Sequence, residues 1–286
     1  MSLTTWVTAD YWLQLAPQLH IHDAALLSQT RPFELHDDIG RELDARLARE
    51  GYFQIDPPNW GVPVLDMARA ILTLEQHRWM PVFAFLFDEF WLMFHQLNNV
   101  TARLLGADFQ LMPDFWAWHI DPRQGQSGWA PHRDDTKTGL LPDGRPKCLT
   151  VWIALTDATP LNGCIYVVPA DRDPTYNTPQ RHDWRFNLPD VRALPAPAGS
   201  VLCWNSEVLH WGAHSSPRAA QSRVSVAYEF QRGDVPPINQ PVMPSGTVPN
   251  FAMRLKLVAK QVLQYQHMYP LTPDIEALAK QVLESP

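Results

Sequence analysis

Cysteine is scarce in this chain: Cys148, Cys164 and Cys203 are the only three in 286 residues, far apart and without a CxxC spacing. That excludes a disulfide framework or a thiolate zinc site and fits a reduced compartment. Long uncharged apolar runs are also missing. The most apolar stretch, WMPVFAFLFDEFWLMF at 79–94, is interrupted by Asp88 and Glu89. It falls short of the about 20 apolar residues that cross a bilayer, so it reads as a buried helix. No cluster of Lys and Arg has the density that grips a phosphate backbone, and the formal net charge is -7, which argues against a nucleic-acid partner. The first residues, MSLTTWVTADYW, carry no basic segment leading into an apolar one, hence no signal peptide. The expectation is a cytoplasmic protein with neither membrane nor nucleic acid as partner.

Apolar surface is plentiful. Hydrophobic residues make up 45% of the chain, with 12 Trp and 12 Phe, enough to offset the ordering entropy of one large core. Residues 37–50, DDIGRELDARLARE, place an Asp pair where an N-cap would sit, space Ile39, Leu43 and Leu47 four apart, and stop at Gly51. This predicts an amphipathic helix, with YFQID (52–56) as a short strand after it. Residues 64–79 and 82–105 read as two further helices, and 249–284 return to helical periodicity with Pro273 placed as a first helical residue. From about residue 109 the pattern changes to short alternating apolar runs: FQLM, FWAWHI, CLTVWIAL, GCIYVVP, GSVLCW, VLHWGA and RVSVAYEF. Short strands at this spacing suggest a sandwich or barrel, a jelly roll among them. Two long loops interrupt them, 135–147 and 170–199, and the second carries Arg172, Arg181, His182 and Arg185. Aromatics in the helical flanks, if exposed, would suit a homodimer.

The stretch WAPHRDD at 129–135 raises a chemical possibility. On an extended segment residues two apart share a face, so His132 and Asp134 would converge while Arg133 points away. Two histidines and a carboxylate occupy one face of an octahedron and leave the other open, the arrangement of non-haem Fe(II) oxygenases. The third ligand would come from a distant strand, and His210 in GSVLCWNSEVLHWG is the candidate, with His214 a rival. Arg223 opens the strand RVSVAYEF with the small Ser225 and Ala227 on its face. Its planar fork suits a carboxylate, and Arg218, the rival, sits in a polar turn. His119 reads as a satisfied strand-end histidine, Trp116 and Trp118 as core aromatics.

Taken in order, AREGYFQID (48–56), HRD (132–134), TVWIALTDATPLNGCIYVVP (150–169), GSVLCWNSEVLHWG (199–212) and RVSVAYEF (223–230) resemble the phytanoyl-CoA dioxygenase-like (PhyH) family of Fe(II)/2-oxoglutarate-dependent oxygenases. The resemblance implies a mostly β fold, a double-stranded β-helix of the jelly-roll and cupin-like kind. A single domain over 1–286 would comprise a helical N-terminal flank at 1–108, the core at 109–232 and a helical C-terminal extension at 233–286. It also implies Fe(II) held by His132, Asp134 and His210, and 2-oxoglutarate held by Arg223, with Thr150, Trp152 and Ser225 near that co-substrate. Halogenating relatives carry a small residue where this chain has Asp134, so hydroxylation with dioxygen, releasing succinate and CO2, is the expected reaction. Where the family has P-G-S-H this chain has PADRD at 169–173, and the resemblance carries no substrate contacts. The arginines of the 170–199 loop suggest a small anionic metabolite under a closing loop. Two other readings stand beside this one: a cupin-like metalloenzyme that uses no 2-oxoglutarate, and a catalytically silent β-helix binding module.

Overall fold

The computed structural model describes residues 3–134 and 139–285; residues 135–138 of the predicted 135–147 loop lie outside the described residues. Helices α1 (Leu3–Trp6), α2 (Ala9–Leu15) and α3 (Ala24–Gln29) open the chain, each too short for periodicity to mark it. Helix α4 (Asp37–Glu50) is where the sequence predicts it, with two local differences. His36 takes the N-cap position, and Asp37 and Asp38 fall in the first turn, where their charge meets the positive end of the helix dipole. Leu43 and Leu47 are buried, but Ile39 is 46% exposed, so the apolar stripe is narrower than predicted. Gly51 ends the helix at a φ of 79°, a left-handed turn that favours glycine, and leads into β1 (Tyr52–Ile55).

Helix α5 (Val64–Gln76) follows, but the stretch predicted as one helix over 82–105 is broken into a 3-10 turn (Pro81–Leu86), α6 (Asp88–His95) and α7 (Asn98–Leu105). The break is at Phe87, which is extended because Asp88 must turn inward. The Asp88 carboxylate accepts the backbone N–H groups of His22 at 3.0 Å and Asp23 at 2.8 Å and pairs with Arg254 Nη1 at 2.6 Å. Around this point the flank packs aromatic on aromatic. Trp12 stacks on Phe83 with ring centroids 5.2 Å apart, both nearly without exposure, and a buried Phe side chain contributes about 1.5–3 kcal/mol. The flank aromatics thus belong to the core rather than the surface. Among the described residues the exposed aromatic is Trp184, in the 170–199 loop, so the surface expected to favour a homodimer is not in the flanks.

The remaining strands are β2 (Gln110–Ile120), β3 (Cys148–Ala154), β4 (Ile165–Val168), β5 (Arg192–Leu194), β6 (Val201–Asn205), β7 (Leu209–Gly212), β8 (Arg223–Gln231) and β9 (Met243–Pro244). They build a six-stranded sheet in the order β1-β6-β3-β8-β2-β9 and a three-stranded sheet β5-β4-β7, with neighbours antiparallel in each. This is the expected jelly roll between helical flanks. FQLM and FWAWHI, predicted as two strands, are the single strand β2 with a register irregularity between Leu111 and Phe115. The predicted 170–199 loop contains β5, an edge strand of three residues. Helices α8 (Phe251–Gln264) and α9 (Pro273–Glu284) close the chain, α9 with Thr272 capping the Ile275 N–H and Pro273 as predicted. Among the described residues no helix is long and apolar enough to cross a membrane.

The two-residue period of β8 separates two environments. Val224, Val226, Tyr228 and Phe230 join the core beneath the helices, where Tyr228 stacks on Phe115 at 5.4 Å. Arg223, Ser225, Ala227 and Glu229 share the other face. That face borders a pocket between the two sheets, walled by Trp152 from β3, Trp204 from β6, and His210 and Gly212 from β7.

Candidate metal centre

The HRD segment and β7 are joined through the backbone of two predicted ligands. The His132 N–H donates to His210 O, and the His210 N–H to His132 O, both at 3.0 Å. This bridge brings the distant third ligand, His210, alongside the first. The alternation of an extended segment then does the rest. His132 and Asp134 face the pocket, while Arg133 turns away and is buried. Its guanidinium donates to Asp173 Oδ2 at 2.6 Å, Thr175 Oγ1 at 2.9 Å, Arg181 O at 2.7 Å and Glu207 O. Asp173 belongs to the segment where the chain departs from the family pattern.

His132, Asp134 and His210 offer three ligand atoms within 4.8 Å of one another. Asp134 Oδ1 lies 3.6 Å from Nε2 of each histidine, too long for a hydrogen bond and short enough for a shared cation. Both imidazoles are oriented by their other nitrogen. Nδ1–H of His132 donates to Ala130 O at 2.7 Å and that of His210 to Val208 O at 3.0 Å, leaving each Nε2 with its lone pair toward the pocket. His132 Nε2 is buried without a hydrogen-bond partner. The carboxylate is fixed in the same way: Asp134 Oδ2 accepts from Thr150 Oγ1 at 2.7 Å and from Trp204 Nε1 at 3.0 Å, which frees Oδ1 for a metal. Burial pushes the His210 imidazole down to about 4, against the opposing pull of Asp134, so it is neutral and able to ligate at pH 7. Two imidazoles and one carboxylate on one side of a pocket fit a divalent ion with an open face.

Arg223 occupies another part of this pocket. It is 1% exposed, and its guanidinium lies over the Trp152 ring at 5.6 Å. Nη1 donates to Ser225 Oγ at 3.2 Å, Nε has no partner, and among the described residues no carboxylate pairs with it. Burial pushes this guanidinium down to about 10. A buried cation without a counter-ion is costly, so the position is suited to an arriving anion. Gly128 and Gly212 make room for it. A Cβ on Gly128 would fall 2.7 Å from Gly212 Cα and 3.2 Å from Arg223 Nη2.

The predicted residues therefore divide by position. His132, Asp134, His210, Arg223, Trp152 and Thr150 line one pocket, but the Thr150 hydroxyl is engaged on Asp134, and Ser225 acts by holding Arg223. His214 and Arg218 are exposed, and His119 pairs with Glu75. Trp116 and Trp118, predicted as core, also wall the pocket. The loop arginines that suggested an anionic ligand are engaged elsewhere: Arg181 is buried against Glu207 at 3.0 Å, and Arg185 pairs with Asp183 at 3.2 Å on the surface. Neither lines the pocket. Trp204, Asp114, Glu229 and Tyr265 do, and the motifs had not marked them. For Trp204 a signal existed, since a buried indole N–H needs an acceptor. Burial, reinforced by Asp134 and Asp114, raises the Glu229 carboxyl well above the usual range.

The model of the phytanoyl-CoA dioxygenase (PhyH) family matches residues 66–222, more than half of the chain. The chain belongs to the phytanoyl-CoA dioxygenase family. It is accordingly an Fe(II)/2-oxoglutarate-dependent oxygenase acting on a small molecule, and the ligand trio fits that iron. The PhyH match stops one residue before Arg223. Solved structures with similar folds include the non-heme monooxygenase ThoJ (17% identity, TM-score 0.58, covering 84% of this chain and 99% of that one). AviO1 from Streptomyces viridochromogenes Tue57 matches with 16% identity and a TM-score of 0.52, over 72% of this chain and 100% of that one. HygX from Streptomyces hygroscopicus, solved with nickel and 2-oxoglutarate bound, matches with 13% identity and a TM-score of 0.50, over 69% and 88%. No curated protein matches the chain in sequence.

Proposed function

We propose that this oxygenase hydroxylates its small-molecule substrate, consuming dioxygen and 2-oxoglutarate and releasing succinate and CO2. His132 and His210 would hold Fe(II) through Nε2 and Asp134 through Oδ1, and Arg223 would grip the far carboxylate of 2-oxoglutarate. Bound there, iron and 2-oxoglutarate together supply an oxidant able to take a hydrogen atom from an unactivated carbon. The contribution of the chain is placement. Thr150 and Trp204 hold Asp134 in one orientation, the Ala130 and Val208 carbonyls hold the two imidazoles, and Ser225 and Trp152 hold the guanidinium. A diacid arriving at Arg223 forms a charge-assisted pair away from water, where such a pair is strong. Asp134 completes the ligand set, which favours hydroxylation over halide transfer. Three buried cysteines, far apart in sequence, support a reduced cytoplasmic setting.

The observation that carries this reading is the bare, buried Nε2 of His132 in the same pocket as an unpaired buried arginine. The test is anaerobic titration of the Fe(II)-loaded protein with 2-oxoglutarate, followed by the visible charge-transfer band of the chelate, and then succinate release on admitting air. Iron bound without a band would favour a cupin-like enzyme that ignores 2-oxoglutarate. A band with no succinate, even in the presence of a metabolite panel, would favour a silent binding module.

A further inference from the structure

Arg223 and Glu229 share one face of β8, six residues and so about 20 Å apart along the strand, and both line the pocket. At the Arg223 end the charge is positive and the ring beneath it is Trp152. At the Glu229 end stands a carboxyl whose ionisation burial and the neighbouring Asp134 and Asp114 oppose. Glu229 stands opposite Thr150 in the register, and its carboxylate has no hydrogen-bond partner among the described residues. Asp114 joins it from β2, where the irregularity between Leu111 and Phe115 shifts the strand's register and the residue lines the same pocket. Asp114 is held from behind by Asn239 Nδ2 at 2.8 Å and Gln264 Nε2 at 3.0 Å. Lys260 reaches the Asn239 carbonyl at 2.6 Å and does not line the pocket. Rings complete this end: Tyr265 from the close of α8 packs on Trp116 at 4.9 Å and Trp129 at 5.1 Å. Apart from Arg223, no Lys or Arg is among the described pocket-lining residues.

We infer that the primary substrate carries a protonated amine, bound at the Glu229 and Asp114 end of the pocket against Trp116, Trp129 and Tyr265. Two carboxyls near one another resist ionising together until a cation lies between them, and aromatic faces attract that cation further. An anionic substrate would find no lining Lys or Arg at the same place. The inference rests on the oxygenase reading for its geometry, with the co-substrate at Arg223 and the substrate at the far end.

The test compares hexylamine, hexan-1-ol and hexanoate, equal in length and different in charge, as ligands of the protein loaded with Fe(II) and 2-oxoglutarate under anaerobic conditions. Binding is read by intrinsic tryptophan fluorescence, with the charge-transfer band recorded in the same samples. Hexylamine should bind at least about tenfold more tightly than either isostere. Glu229→Gln should abolish that preference while leaving the band unchanged, and Asp114→Asn should weaken it. Equal affinities, tighter binding of hexanoate, undetectable binding of hexylamine at millimolar concentration, or an undiminished preference in a folded Glu229→Gln protein would overturn the inference. Loss of the band with amine preference intact would instead remove the oxygenase reading and leave the amine site standing.

Discussion

Arg254 in the helical flank and Arg223 in the jelly roll are both almost without exposure, at 0% and 1%, yet they are buried in opposite ways. Arg254 is paired by the chain itself, with Nη2 alone lacking a hydrogen-bond partner: Nη1 meets Asp88 at 2.6 Å and Leu86 O at 3.0 Å, and Nε donates to Pro249 O at 2.7 Å. Arg223 has a serine hydroxyl and the face of a tryptophan. Burial lowers the basicity of both. For Arg254 the carboxylate of Asp88 opposes the shift, whereas nothing so close does so for Arg223, pushed down to about 10. A cation with its counter-ion in the fold holds the fold together. A cation buried without one leaves a binding energy unspent until a ligand supplies the anion.

This contrast predicts different damage from the same substitution. Arg254→Leu leaves Asp88 charged, buried and unpaired, and should cost about 3–5 kcal/mol in urea unfolding, with the 2-oxoglutarate affinity of the folded fraction unchanged. Arg223→Leu removes a charge with no partner to strand, so unfolding stability should stay within about 1 kcal/mol of the parent or rise. Its loss should appear in co-substrate affinity, weakened by about 2–5 kcal/mol and measured by the charge-transfer titration. Equal destabilisation by the two substitutions would break the comparison, because Arg223 would then be structural as well.

The same contrast explains what was legible in the sequence. His132 and Asp134 could be read from one short stretch because an extended chain dictates which residues share a face, and Arg133, pointing away, obeys the same rule. His210 and Arg223 needed the order of motifs along the whole chain. The 82–105 segment was not legible as three pieces, since its first part, 82–94, is buried on all sides and has no polar stripe to show where it bends. Its break depends on Asp88 meeting Arg254, which is remote in sequence. Glu229 falls by the same alternation on the face of Arg223, Ser225 and Ala227 in RVSVAYEF, but nothing in the strand says what that face borders at its far end. Only the second sheet and the C-terminal helix turn that face into a pocket wall. The loop arginines misled for a related reason: charge in a loop does not disclose its partner, and for Arg181 that partner is Glu207.

Between the two extremes lie groups that act on a ligand without touching it. Thr150 and Trp204 both donate to Asp134 Oδ2. Thr150→Val and Trp204→Phe should each lower Fe(II) affinity about 10–100-fold, read by competition with a chelator, while 2-oxoglutarate affinity of the iron-saturated protein changes little. A variant that lost 2-oxoglutarate affinity and kept its iron would place that residue on the co-substrate instead, which for Thr150 is the role the family resemblance implies.

The weakest expected effect tests the far side of the comparison, a cation paired in open solvent. The Arg185 and Asp183 side chains are 74% and 50% exposed and meet at 3.2 Å, an arrangement that contributes between 0 and about 1 kcal/mol. Arg185→Gln should therefore leave urea unfolding within that range and KM for the substrate unaltered, since water replaces the carboxylate at almost no cost. A several-fold rise in KM with stability intact would mean that the 170–199 segment swings this guanidinium onto the substrate during turnover. The charge pattern of the pocket would then have to be read with the loop closed, and the amine assignment at Glu229 would face a competing cation.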